Sequence, residues 1–304
     1  MKHIQFGLVP AIYMTSLFLP EFKSFYELSY GKSNGNKTVY TSGPKDVLVV
    51  FFYTCLFLTA RNLFMKIRIN VKKELRLKEQ LYQASVYTLS FIFGMYNYYN
   101  SPLVDSWVYI VHPYPQKFVP YHLKQYYLFI FSLWTHMIFV LHLEKRRKDH
   151  NMMLVHHFVA LSMVVTSWFA HGSLLGILIE TIFDSMDIVL CLAKSLKYIK
   201  QDKLADVFFL VFVVGWVYTR QYLYVHVVYQ WMQFPDYNEL KWDPANGHYV
   251  NEYMMFWSKV LMIGLLVMVF FWFMMILKLV FKVVSGNNVE DSRSDDEDDK
   301  EKDQ

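Results

Sequence analysis

Cysteine is nearly absent from this chain. Cys55 and Cys191 are the two present, and both fall in apolar stretches. Neither a disulfide framework nor a cysteine-based metal site is available. The apolar patch at 4–19 is followed by no small-residue cleavage site, is broken by Pro10 and ends at Pro20. It is short for a membrane span and is read as an interfacial helix, with an uncleaved signal-like segment as the alternative. No nucleophile elbow is present for a Ser-His-Asp hydrolase. The chain has no internal repeat and lacks the repeated histidine clusters that membrane di-iron oxygenases use.

What is present is hydrocarbon. Of 304 residues, 55% are hydrophobic and 19% aromatic, too apolar for an ordinary soluble domain. The pattern predicts an all-α integral membrane protein with seven transmembrane helices. Spans are expected at 47–65, 81–99 and 125–143, then two within 148–200, then 204–225 and 254–281. Basic residues crowd the connectors after spans one, three and five: Arg61 to Lys78, Lys145 to Lys148, and Lys194 to Lys203. The connectors after spans two, four and six are poor in Lys and Arg. The positive-inside rule then sets the N-terminus in the lumen and the C-terminus in the cytosol.

Three regions follow: a lumenal segment with an interfacial helix (1–44), a seven-helix membrane domain (45–284) and an acidic, disordered cytosolic tail (285–304). Asn36 heads a glycosylation sequon on the lumenal side. From Glu290 onward the net charge is −6 against +4 for the whole chain. Ser292 and Ser294 each precede an acid by three residues and suit an acidophilic kinase of the casein kinase 2 type; a solvated, unregulated tail is the plain alternative.

The stretch 148–200 carries the chemistry. Two consecutive spans hold His156 and His157 in the first, and Glu180, Asp184 and Asp187 in the second. Hydrocarbon solvates charge badly, so ionisable groups at such depth point to function. At a rise of about 1.5 Å per residue, the histidines lie on the order of 12 Å inside the membrane, at the depth of the aspartates on the antiparallel neighbour. Glu180, Asp184 and Asp187 form one stripe at i, i+4 and i+7. The adjacent histidines point about 100° apart, so one at most should face the carboxylates squarely.

Imidazole acts as base or nucleophile near neutral pH, and a carboxylate orients it and stabilises its cation. Such a site, open to the cytosol, suits acyl transfer from a water-soluble thioester to a lipid, with a Lys/Arg rim for coenzyme A phosphates. A structural hydrogen-bond network is the plain alternative for the same residues. His156, His157, Asp184 and Asp187 could also ligate a divalent ion, but the ligand count is low and no metal is expected. Glu180 could instead meet water near the lumenal half. Arg220 reads as a snorkelling or ion-pairing residue and Lys194 as snorkelling. His136, His142, His150 and His171 fall near span ends and carry no assigned role.

The same residues carry a resemblance. Arg147-Lys148-Asp149, His156-His157, Ser167, Gly176, the Asp184 and Asp187 pair and Ala193-Lys194 resemble the signature of ceramide synthases, in the TLC-domain superfamily. Residues 79–98, His112-Pro113-Tyr114-Pro115, Tyr218-Thr219-Arg220 and the acidic run 290–295 are similar to further family segments, so the likeness covers roughly 45–300. It implies a TLC-type helical barrel enclosing a lipid cavity. It also implies N-acylation of a sphingoid base by a fatty acyl-CoA in the endoplasmic reticulum membrane. His156 or His157 would be base or transient acyl carrier, with Asp184 and Asp187 as orienting carboxylates. Ser167, Lys148, Lys194 and Arg220 would contact substrate. Acyl-CoA enters as co-substrate with no bound cofactor. The partners are the sphingoid base and membrane lipids, not nucleic acid, and a homo- or heterodimer is compatible. In the family the last lumenal loop, here 232–251, influences chain-length choice. No homeobox-like insert follows the first span. Leu174 stands where the family usually has Arg, Phe183 where it has His, and His171 where it has Asn. With those departures the alternative is a non-enzymatic TLC-domain protein that binds lipid or assists translocation.

Overall fold

A backbone in hydrocarbon must satisfy its N–H and C=O groups internally, and a helix does so without a partner segment. In the computed structural model, residues 12, 15, 19–34, 37–101, 116–144, 146, 149–233, 243 and 251–285 are described. Asn36, Lys148, Ser292 and Ser294 lie outside them. The helices are α1 (Asp46–Phe64), α2 (Glu74–Tyr99), α3 (Tyr121–Leu143), α4 (His150–Phe169), α5 (Ser173–Tyr198) and α6 (Asp202–Trp216), then α7 (Tyr224–Met232) and α8 (Glu252–Val284). A π-helical stretch, Val217–Leu223, joins α6 to α7. Among the described residues, four helices are individually long and apolar enough to cross a membrane: Asp46–Phe64, Tyr121–Leu143, His150–Phe169 and Glu252–Lys282. The others carry the charges: α2 opens on Glu74, Arg76, Lys78 and Glu79, and α5 holds the acidic stripe with Lys194 and Lys197.

Hydroxyls inside these helices find partners one turn back. Thr54 donates to Val50 O, Ser132 to Leu128 O, Thr181 to Ile177 O and Thr219 to Gly215 O. Such back-bonding hides a polar group that lipid or a packed core would penalise. α5 packs most extensively on α2 and α6, α4 packs on α3 and α8, and α1 packs on α3. Gly94 makes the α2–α5 contact close, since a Cβ there would meet the Thr181 and Tyr126 hydroxyls.

The turn from α4 to α5 has no glycine at its left-handed position. His171 takes it, with φ 60°. Gly172 N–H donates to Ser167 O at 2.8 Å and His171 N–H to Trp168 O at 3.3 Å, the Schellman pattern. His, like Asn, tolerates this conformation better than most residues. Lys200 repeats the motif after α5 with φ 62°, Gln201 N–H reaching Leu196 O at 2.9 Å.

The expectation of a wholly helical chain needs one correction. β1 (Gly31–Asn34) pairs antiparallel with β2 (Lys37–Tyr40), which pairs with β3 (Val119–Pro120). Beneath this sheet Lys124 is fully buried, 2.7 Å from Asp46 Oδ1. It also donates to Ser29 O at 2.9 Å and Thr41 O at 2.8 Å. Asp46 Oδ2 accepts from Gly43 N–H and from Trp168 Nε1. The network ties the amino-terminal segment to α1, α3 and α4.

Candidate active site

Two cavities meet inside the bundle. The larger, about 320 Å³, has Arg76, Gln80, Glu144, Asp149, His150 and Lys194 at one end. These come from the start of α2, the end of α3, the start of α4 and the end of α5, so they mark one end of the bundle. The same cavity reaches His156, His157, Asp187 and Arg220. The smaller, about 80 Å³ and almost wholly apolar, follows α4, α5 and α8 past Ala160, Gly176 and Met262 to Trp231 and Met254. Trp134, His156 and Phe183 line both.

The imidazoles sit among aromatic rings. Trp134 lies 5.5 Å from His156 and 5.6 Å from His157 between ring centroids, and the two imidazoles are 5.5 Å apart. Trp272 meets His156 edge-on at 4.9 Å. These rings hold the imidazoles by packing, and Nδ1 of each has no hydrogen-bond partner. An unpartnered ring nitrogen on a side chain that lines a cavity calls for a partner.

The acidic stripe divides in three. Asp187 Oδ1 pairs with Arg220 at 2.8 Å. The guanidinium also donates to Phe183 O at 2.9 Å and lies between the Phe183 ring at 4.6 Å and the Trp216 ring at 4.2 Å. Arg220 is 1% exposed, so it does not snorkel: the π-helical stretch carries it inward to an ion pair. Glu180 accepts from Trp134 Nε1 at 3.1 Å and 3.2 Å through its two oxygens, and it is buried rather than wetted. Asp184 is buried too; Ser90 stands beside it without hydrogen-bonding Oδ2, which has no partner.

His156, His157 and Asp187 therefore share one cavity. Among the described residues no hydrogen bond joins either imidazole to a carboxylate; Arg220 takes the place expected of histidine at Asp187. Lys194 lines the polar end. Ser167 lines the apolar cavity and contacts the Tyr127 hydroxyl at 3.0 Å. Of the histidines without an assigned role, His136 is not near a span end but wholly buried beside Tyr82, and His150 lines the larger cavity. The sequence gives no sign of Trp134, Trp216 and Trp272 as site residues, because one aromatic among 19% aromatic residues carries no signal until its neighbours are known. Among the described residues no group of three or more His, Cys, Asp or Glu is placed to hold a metal ion.

Comparison with known proteins agrees with this architecture. The TLC domain matches residues 76–278. Sphingosine N-acyltransferase lag1 of Schizosaccharomyces pombe is 32% identical, the match covering 94% of this chain and 77% of that protein. Sphingosine N-acyltransferase lac1 of the same yeast is 27% identical over 89% and 74% of the two chains. Ceramide synthase LAG1 of Saccharomyces cerevisiae is 30% identical over 86% and 66%. Matches of this extent, over a helical chain with four helices suited to the bilayer, establish that the chain belongs to the TLC-domain family, among the relatives of the sphingosine N-acyltransferases.

Proposed function

We propose that this protein is a ceramide synthase, transferring a fatty acyl group from acyl-CoA to the amine of a sphingoid base. One observation carries the reading: His156, its Nδ1 without a partner, stands where a polar cavity meets an apolar one, and His157, likewise unpartnered at Nδ1, lines the polar side. The relatives named for the same reaction support it. The polar end, with Arg76 and Lys194, receives the coenzyme A phosphates, which cationic donors suit. The acyl chain lies in the apolar cavity, and the thioester carbonyl rests at His156. One histidine serves as base or transient acyl carrier. Asp187, held by Arg220, and Asp184 stabilise the charge that develops on the imidazoles.

In this reading seven helical spans close as a TLC-type barrel, α6, the π-helical stretch and α7 counting as one span. Charge on α2 and α5 then faces the lumen of the barrel rather than lipid. The polar end faces the cytosol, where acyl-CoA is found, the N-terminus is lumenal, and the membrane is that of the endoplasmic reticulum.

The test is complementation of cells that lack their own ceramide synthases. Wild type should restore ceramide, while His156→Ala and Asp184→Asn, at equal abundance, should fall by about 1,000-fold and 100-fold, the scale of lost acid–base catalysis. Restoration by both variants would remove the site assignment. Lipid binding by purified wild type without transfer from any acyl-CoA would favour the non-enzymatic alternative instead.

A further inference from the structure

The acidic stripe is short of positive charge. Asp187 has Arg220. Among the described residues no cation pairs with Glu180 or Asp184, although both are more than nine-tenths buried. An unpaired carboxylate in an apolar interior is costly, so its retention points to a partner that arrives from outside. Two features locate that partner. Glu180 is the one carboxylate among the residues lining the apolar cavity, and its Trp134 indole is the same ring that packs on His156. One turn away, Asp184 Oδ2 is buried without a hydrogen-bond partner.

We propose that Glu180 is the binding group and proton acceptor for the ammonium of the long-chain base, with Asp184 adding negative charge behind it. This rests on the ceramide synthase reading and adds to it the site of the second substrate. Glu180 at the rim of the apolar cavity places the amine beside the carbonyl held at His156, and the base's hydrocarbon stays in apolar surroundings. The ammonium gives one proton to the Glu180 carboxylate. The freed lone pair forms the bond from nitrogen to the acyl carbonyl carbon. The bond from that carbon to the leaving group, an imidazole nitrogen or the coenzyme A sulfur, breaks with its electron pair. The leaving group takes the second proton from nitrogen, and the amide keeps the third. Trp134 fixes the carboxylate through the hydrogen bond from Nε1 and is a positioning residue.

The experiment uses the full-length protein in detergent or nanodiscs, with sphinganine, an acyl-CoA, and a long-chain diol lacking the amine. For Glu180→Gln, the Kd of sphinganine should rise at least tenfold and the transfer rate should fall about 100-fold. The Kd of acyl-CoA and the weaker binding of the diol should stay at wild-type values. Trp134→Phe removes the hydrogen bond and keeps the charge, so it should retain most of the sphinganine affinity. Equal sphinganine binding and transfer by wild type and Glu180→Gln would overturn the inference while leaving the ceramide synthase reading in place. So would an equal loss in Trp134→Phe, or loss of diol and acyl-CoA binding along with sphinganine, since both mark a structural role. No transfer by wild type at all would overturn the ceramide synthase reading, and this inference with it.

Discussion

Two buried ion pairs in this molecule are built to opposite specifications. Lys124 and Asp46 have side chains 0% and 1% exposed; the ammonium faces Asp46 Oδ1, Ser29 O and Thr41 O, and Asp46 Oδ2 accepts from Gly43 N–H and Trp168 Nε1. Arg220 and Asp187 are 2% and 33% exposed, and the aspartate opens onto a cavity. Unpartnered polar atoms of His156, His157, Asp184 and Trp216 surround the second pair. The first pair is shut off from solvent: the ammonium contacts and Asp46 Oδ2 tie the amino-terminal segment onto three helices. The second is left incomplete, and an incomplete polar group under hydrocarbon persists where a ligand completes it. A buried charge by itself therefore says little about catalysis; what remains unpaired around it says more.

Removing one member from each pair should separate the two designs. Lys124→Met leaves Asp46 without its cation and should cost about 3–5 kcal/mol of stability, read as a lower Tm and lower abundance. Asp187→Asn should instead lower ceramide formation about 100-fold, near 2.7 kcal/mol of transition-state stabilisation. Its Tm should fall far less than that of Lys124→Met. If the two variants lost stability equally, the contrast between the pairs would fail. A smaller effect is expected on the wall of the apolar cavity. A Cβ on Gly176 would collide with the Tyr127 hydroxyl, so Gly176→Ala should cost about 1–3 kcal/mol through overpacking. It should also shift preference toward shorter acyl-CoA chains, measured across a chain-length panel; an unchanged profile would place the acyl chain elsewhere.

The helices are legible in the order of residues alone. The span expected at 47–65 is the helix Asp46–Phe64, and that at 254–281 lies within Glu252–Val284. Two ends slip furthest: α2 starts at Glu74 ahead of the expected 81, in a charged turn that hydropathy leaves out, and α7 runs to Met232 beyond the expected 225, through a widened turn that no residue pattern announces. The sheet escapes a reading of the sequence because its strands are four residues or fewer, and β3 comes from a segment some 80 residues further along the chain. The acidic stripe and the histidine pair can be found because an ionisable residue in an apolar run stands out against its neighbours. Their partners cannot, because Trp134, Trp216 and Arg220 come from other helices.

Composition and periodicity suffice to settle that this is a helical membrane protein and which two spans carry its buried imidazoles and acids, since hydropathy and helical spacing are local properties of the chain. Packing is needed to assign Arg220 to Asp187 and Trp134 to Glu180, and to leave His156 at the boundary of a polar and an apolar cavity. Those pairings join residues 33 and 46 positions apart. Contacts at such separations depend on how helices pack against one another, which no local pattern records.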